Sequence, residues 1–174
     1  MPLVGIPEVI NDFNLYLRGN KLGGQTGEVA LPDFEAITAT ISGAGILGEF
    51  ESAVTGHFGS MEQEIPFRCI CKDYFELIDT TTAVELTLRG AIQQTDPTTQ
   101  GVKYVGMRVV FRGRCKKIKI GTVKQREGMD SAIAIELTYV LIEMDGKKKI
   151  ELDKINPKYV VNGKDLLAQI RKLT

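Results

Sequence analysis

Over most of its length this chain alternates apolar and polar residues with a period of two, and no other feature constrains the fold as strongly. In "VELTLRGAIQ", Val84, Leu86, Leu88 and Ile92 fall on one side of an extended chain, with Glu85, Thr87, Arg89 and Gln93 on the other. Successive side chains of a strand point to opposite faces, so this pattern marks a half-buried antiparallel strand. "GEFESAVTGHF" repeats it, with Phe50, Val54 and Phe58 opposite Glu49, Glu51, Thr55 and His57. In "SAIAIELTYVLIEM" the odd positions Ile133, Ile135, Leu137, Tyr139 and Leu141 are apolar, while Ala132, Ala134, Val140 and Ile142 make the other face largely apolar too. A strand of that kind is expected between two layers.

Turn residues separate these runs: "DPTTQG" at 96–101, "REGMD" at 126–130 and "MDGKKK" at 144–149, where Asp145-Gly146 signals a tight hairpin. Two segments read as helical. Residues 69–79, "CICKDYFELID", space Ile70, Tyr74 and Leu77 along one side. Near the end, residues 163–173 follow Asn162 as a candidate N-cap, with Asp165 in the first turn, Leu166, Leu167, Ile170 and Leu173 as an apolar stripe, and Arg171 and Lys172 where the helix dipole favours cations. Strands dominate. The expected fold is mainly β, a β-rich α+β chain built as an antiparallel sandwich or barrel with one or two flanking helices, in a single domain over 1–174.

Lys plus Arg and Asp plus Glu are 22 each, but the balance hides an asymmetry. Residues 1–66 hold two basic residues against nine acidic ones, a net of −7, which leaves +7 for the rest. Opposite charge on two parts of a chain can attract copies head to tail, or the parts can neutralise each other within one monomer; charge alone leaves both readings open. Cys69, Cys71 and Cys115 are an odd number without an apolar signal stretch, so a reducing compartment is expected rather than a disulfide framework. A single histidine and a lone Cys-x-Cys pair argue against a metal site. The longest uncharged run falls short of the ~20 residues that a membrane-spanning helix needs, and no membrane insertion is expected.

Three motifs invite a chemical reading. "GAGILG" at 43–48 has the G-x-G-x-x-G spacing of a dinucleotide-binding turn. That turn needs a helix after it to supply amide N–H groups to phosphate, whereas residues 49–58 alternate with period two and begin with Glu49 and Glu51. It reads instead as a glycine-rich surface loop between two strands, and no cofactor is expected. "RVVFRGRCKKIKIGTVKQR" holds eight cations and no acid. Such a run could neutralise phosphates, or it is a solvated or subunit-facing strand edge blunted by lysines. Its alternation slips at Lys116-Lys117, which suggests a bulge, and Phe111 is its only aromatic. His57 and Ser60 lack a positioned acid, and Glu49, Glu51, Glu62 and Glu64 serve equally as a solvated strand face, so no catalytic residue is assigned.

Read end to end, the sequence resembles the major tail tube proteins of contractile-tailed bacteriophages and of related phage-tail-like bacteriocins. The resemblance is carried by "INDFNLYLRGNKLGGQTGEVALPDFE" at 10–35, "SGAGILGEFE" at 42–51, "LRGAIQQ" at 88–94, "VVFRGRCKKIKIGTVKQ" at 109–125, "TYVLIEMDGK" at 138–147 and "ELDKINPKYVVNGKDLLAQIRKL" at 151–173. It implies a hexameric ring in which strands from six copies close a continuous inner β-barrel, with rings stacked into a hollow conduit for DNA or, in bacteriocins, ions. The implied partners are further copies of the chain, a tail sheath protein, baseplate and tail-terminator proteins, with transient non-specific passage of DNA. The implied location is a virion or phage-tail-like particle assembled in the bacterial cytoplasm. Two other readings stand behind it: the tube component of a related contractile secretion system, and an oligomeric β-barrel that binds nucleic acid.

For residues, the resemblance implies that 42–60 forms an extended inter-subunit loop or arm. Expected inter-subunit contacts are Gly43, Ala44, Gly45, Ile46, Leu47, Gly48, Glu49 and Phe50, together with Glu28, Leu31, Pro32 and Asp33 near a ring boundary. Glu49, Glu51, Thr55, Glu85, Thr87 and Gln93 are expected to face the lumen, since an acidic or neutral bore would not hold DNA. Arg89 shares that face, which requires either a partly different placement or neutralisation by Glu85 or a neighbour.

Overall fold

The computed structural model describes residues 4–25 and 27–174. The chain runs β1 (Ile6–Leu17), β2 (Asn20–Lys21), β3 (Ala36–Ser42), β4 (Glu49–Phe58), β5 (Glu62–Phe67), α1 (Lys72–Glu76), β6 (Val84–Thr95), β7 (Val102–Lys119), β8 (Ser131–Met144), β9 (Lys147–Asp153), β10 (Lys158–Val161), β11 (Lys164–Asp165) and α2 (Ala168–Leu173). Nine strands form one antiparallel sheet in the order β11-β10-β9-β8-β7-β6-β1-β2, with β5 branching off β8. β3 and β4 make a separate two-stranded sheet. The expected antiparallel β architecture with two short helices is thus what the chain adopts. Among the described residues the large sheet stays open, with β2 and β11 at its ends, and no barrel closes within one chain.

β8 organises the large sheet. Its first half pairs with β5 on one side, its second half with β9, and β7 runs along the other side throughout. Ala132, Ile133, Ala134 and Ile135 are all buried, as expected of a strand apolar on both faces. The even alternation of β6 holds: Val84, Leu86 and Leu88 are buried, and they lie opposite Leu17, Leu15, Phe111 and Val109 across the two neighbouring strands. Tyr74 and Leu77 from the α1 segment cover this core with Phe67 of β5, whose ring meets Tyr74 edge to face at 5.5 Å.

Two bulges set the faces of β7 and β8. One falls between Cys115 and Lys117, at the slip in the sequence. The other lies at Arg112/Gly113, where β8 carries Thr138 as an extra residue. An extra residue reverses the side-chain phase beyond it. Consequently Tyr139 and Leu141 do not share a face with Ile133, Ile135 and Leu137, contrary to the simple alternation; Tyr139 turns to the opposite face of the sheet, beside Arg112.

The helices are shorter than the sequence predicts. The first spans Lys72–Glu76 rather than 69–79, with Cys71 at its N-cap and Cys69 exposed ahead of it. The second begins at Ala168, not at 163. Asn162 is no helix cap: Asn162 and Gly163 have φ of 50° and 80° and form the turn of the β10–β11 hairpin. Both residues in that left-handed region match the tight hairpin turn that Asn-Gly favours. Asp165, expected inside the helix, lies in β11 and accepts hydrogen bonds from the Leu167 amide and from Arg171.

Candidate functional site

The β3–β4 hairpin presents an apolar face that no other element of the described chain covers. Register pairs Ile41 with Phe50 and Thr40 with Glu51. One face therefore carries Ile37, Ala39, Ile41, Phe50 and Val54, and the other Thr38, Thr40, Glu49 and Glu51. The apolar face is open to solvent: Phe50 is 53% exposed, and Leu47 at the tip is fully so. Completing the burial of a half-exposed side chain of this size contributes roughly 1 kcal/mol, so the face is a reservoir of free energy available to a contact.

The tip is the "GAGILG" motif. Gly45 and Gly48 have φ of 87° and 90°, the left-handed region where a side chain would be strained, and the Ile46 amide donates to the Gly43 carbonyl at 3.1 Å. The loop joins two strands, so no helix N-terminus is available for phosphate, and the glycines serve a turn.

The root, by contrast, is fixed. Phe58 meets Phe34 and Tyr159 edge to face at 5.9 and 5.2 Å, the Gly59 amide donates to the Glu35 carbonyl at 2.9 Å, and Lys154 Nζ donates to the Gly59 carbonyl at 2.7 Å. Gly56, in an irregular stretch of β4 with φ of 78°, lies against Leu167; a β-carbon there would come within 2.8 Å of the Leu167 side chain. An anchored base thus presents an uncovered apolar face.

The other expected contact residues flank a second open surface. Glu28, Leu31 and Asp33 are exposed and Pro32 is half-buried in the segment between β2 and β3. Buried Gln63 holds this segment by donating to the Ala30 carbonyl at 2.8 Å. Between it and Ile10–Phe13 of β1 lies an open groove of about 730 Å³, floored by Leu88 and Met107.

The residues expected in a lumen are divided between two sheets. Glu49, Glu51 and Thr55 belong to the hairpin, while Glu85, Thr87 and Gln93 share the outer face of β6. That outer face carries a charge lattice which the sequence did not reveal. Arg112 bonds Glu85 at 2.6 Å and lies over the Tyr139 ring at 4.7 Å, and Tyr139 Oη donates to Glu151 at 3.0 Å. Lys148 and Lys158 reach the same Glu151 carboxylate, and Arg108 pairs with Glu143 at 2.8 Å. Burial would raise the Glu151 carboxyl, but the hydrogen bonds from Lys158 and Tyr139 outweigh it and hold it below the ordinary carboxylate value. Burial first, and then the bond to Glu151, pushes the Tyr139 phenol up to about 12. Arg89 sits over Tyr16 at 6.0 Å, whereas Glu85 is engaged by Arg112.

Two of the groups weighed for catalysis, Ser60 and Glu62, are engaged in other contacts. Ser60 donates to both oxygens of Glu136 at 2.8 Å, not to His57, and Lys116 bridges Glu136 and Glu62 at 2.8 Å each. Among the described residues no group of three or more His, Cys, Asp or Glu is placed to hold a metal ion, and no helix is long and apolar enough to cross a membrane.

An open antiparallel sheet with an anchored hairpin whose apolar face is uncovered presents broad surfaces for contact. Comparison with known proteins agrees. The profile of phage tail tube protein FII matches residues 7–173. The tail tube protein of Escherichia phage P2 is 32% identical over 176 aligned residues, covering 97% of this chain and 98% of that protein. The chain belongs to the phage tail tube protein FII family. It is a structural component of a phage tail, a tail tube protein and not an enzyme.

Proposed function

We propose that six copies of this chain form a ring, that rings stack into a hollow tube inside a contractile sheath, and that the bore conducts DNA or, in a bacteriocin-type particle, ions. The observation that carries this reading is the hairpin: Ile37, Ile41, Phe50 and Val54 form an apolar face, held at a rigid root, that nothing in the described chain covers. A contact between unlike patches of identical subunits closes into a ring when its rotation allows, and a second such contact along the axis makes a tube.

Two further features support it. The large sheet ends in β2 and β11, each paired on one side only, and pairing across copies would remove those edges by completing the barrel that one chain leaves open. The outer face of β6 to β9 is hydrophilic with its charges largely paired, as suits a wall past which a polyanion slides. On this reading Glu85, Thr87 and Gln93 face the lumen, and Arg89, which lies over Tyr16 while Glu85 is engaged by Arg112, keeps its positive charge on that face. Gly43 to Phe50 contact a neighbouring copy, and Glu28 to Asp33 lie at a ring boundary. The sheath, baseplate and terminator proteins bind the outside and the ends.

Negative-stain electron microscopy of the purified protein at high concentration tests this directly. Hollow tubes with six-fold end views are expected. Solid fibres, or single particles at every concentration, would overturn it.

A further inference from the structure

A charged, apolar patch elsewhere on the chain matches the hairpin, and it lies in the basic run that the tube reading leaves without a role. Beyond Gly113, β7 no longer pairs with β6, which begins at Val84 opposite it, so among the described residues β8 is the only strand beside Lys117, Ile118 and Lys119. Ile118, Ile120 and Val123 are 44, 61 and 85% exposed. Among the described residues Lys117, Lys119 and Arg126 have no ion pair, unlike Lys116, which is held by Glu62 and Glu136, and Lys124, which is held by Glu127.

These side chains stand on a fixed backbone. The Lys119 carbonyl accepts from Tyr74 Oη at 2.9 Å, the Ile120 carbonyl from Ser131 Oγ at 2.5 Å, and the Thr122 amide donates to the Met129 carbonyl at 2.8 Å. Gly121, with φ of 97°, allows that close approach; a β-carbon there would lie 2.0 Å from the Met129 oxygen. The surface is therefore preformed, and its exposed apolar side chains are not the product of a slack loop.

We infer that this 117–126 segment is the seat on which the β3–β4 hairpin of a second copy docks. Charge complementarity selects the occupant: residues 36–58 contain Glu49 and Glu51 and no Lys or Arg, and residues 117–126 contain four cations and no acid. The alternation matches as well. Glu49-Phe50-Glu51 and Lys117-Ile118-Lys119 each place one apolar residue between two charges, so apposed extended segments bring Phe50 to Ile118 on one side and carboxylates to ammonium groups on the other. The polarised charge of the chain then acts between copies rather than within one.

The inference rests on the self-assembly proposed above, and a charge swap separates the two. Glu49→Lys with Glu51→Lys, and separately Lys117→Glu with Lys119→Glu, are each expected to raise the concentration needed for half-assembly by at least about tenfold; combined in one chain, they should restore it to within about threefold. Light scattering reads the assembly, and circular dichroism of the dilute monomer checks the fold. If the wild type fails to assemble, the tube reading itself falls. If the wild type assembles but either reversal is harmless, or the combination is no better than the reversals, the docking falls alone.

A photo-crosslinking residue at Leu47 gives an independent readout. It should join peptides from 117–126 of another copy, and capture of peptides lining the Ile10–Leu31 groove instead would contradict the inference. Salt-sensitive retention of duplex DNA that the Lys117→Glu, Lys119→Glu protein loses, with its assembly intact, would assign the patch to nucleic acid and overturn it too.

Discussion

Gly113 packs so closely on Glu136 that a β-carbon at Gly113 would lie 2.0 Å from the Glu136 carbonyl oxygen. The contact sits at the bulge where β8 carries Thr138 as an extra residue and changes the faces of its side chains. Neither backbone can retreat, because Arg112 and Leu137 on either side are held by pairing in the same sheet.

Gly113→Ala should therefore destabilise the folded chain by about 1–3 kcal/mol through overpacking against backbone. Urea denaturation at a concentration too low for assembly measures this, and an unchanged midpoint would contradict the bulge geometry.

Gly56 makes the corresponding contact at the hairpin root. Alanine there meets both a positive φ of 78° and the Leu167 side chain at 2.8 Å. The backbone term alone costs about 1–2 kcal/mol. Because the contact joins β4 to the segment before α2, limited proteolysis should release the C-terminal residues of Gly56→Ala faster than those of the wild type.

The period-two pattern was enough to reveal β4, β6 and the alternating half of β7, and the lysine pair revealed one bulge, because in each case one face is polar and a slip in phase is visible. The Thr138 bulge was hidden for the opposite reason: both phases of β8 are apolar, so Tyr139 and Leu141 look interchangeable with Ile133 and Ile135. Asn162-Gly163 passes for a helix start because the leucines after it suit a helix stripe as well as they suit the hairpin's exit. The exposed face of the hairpin was legible only as an alternation. That nothing in the described chain covers it is a tertiary fact, as is the meeting of Glu85, Arg112, Tyr139 and Glu151 from four strands.

That four-strand meeting gives a spectroscopic prediction. Of the five tyrosines, Tyr139 ionises only near 12, and Tyr74 is also raised, chiefly by burial. Since the folded state raises the Tyr139 pKa above its ordinary value of 10, its contribution to stability is full below 10 and is lost as pH rises towards 12. Absorbance at alkaline pH should show a late-ionising fraction that shrinks in Tyr139→Phe. That variant should also lose about 1 kcal/mol of stability at neutral pH.

At the acid end the signs reverse. For Glu136, burial would raise the carboxyl, but hydrogen bonds from Lys116 and Ser60 prevail and lower it, as Lys158 and Tyr139 do for Glu151. Both are held below the ordinary 4.5, so their stabilisation is fully present above that pH and is lost as pH falls through the folded values. A urea midpoint that declines below about pH 4.5 in the wild type, and declines less in Glu136→Gln, is the expected outcome; identical profiles would contradict it.

Sedimentation velocity across a dilution series, comparing the wild type with Phe50→Asp, tests most directly whether the uncovered hairpin face drives assembly. The wild type is expected to shift from single chains to large species as concentration rises, while Phe50→Asp remains single at concentrations at least about tenfold higher. A wild type that stays a single chain at every concentration, or a Phe50→Asp protein that associates as readily as the wild type, would contradict that role for the hairpin.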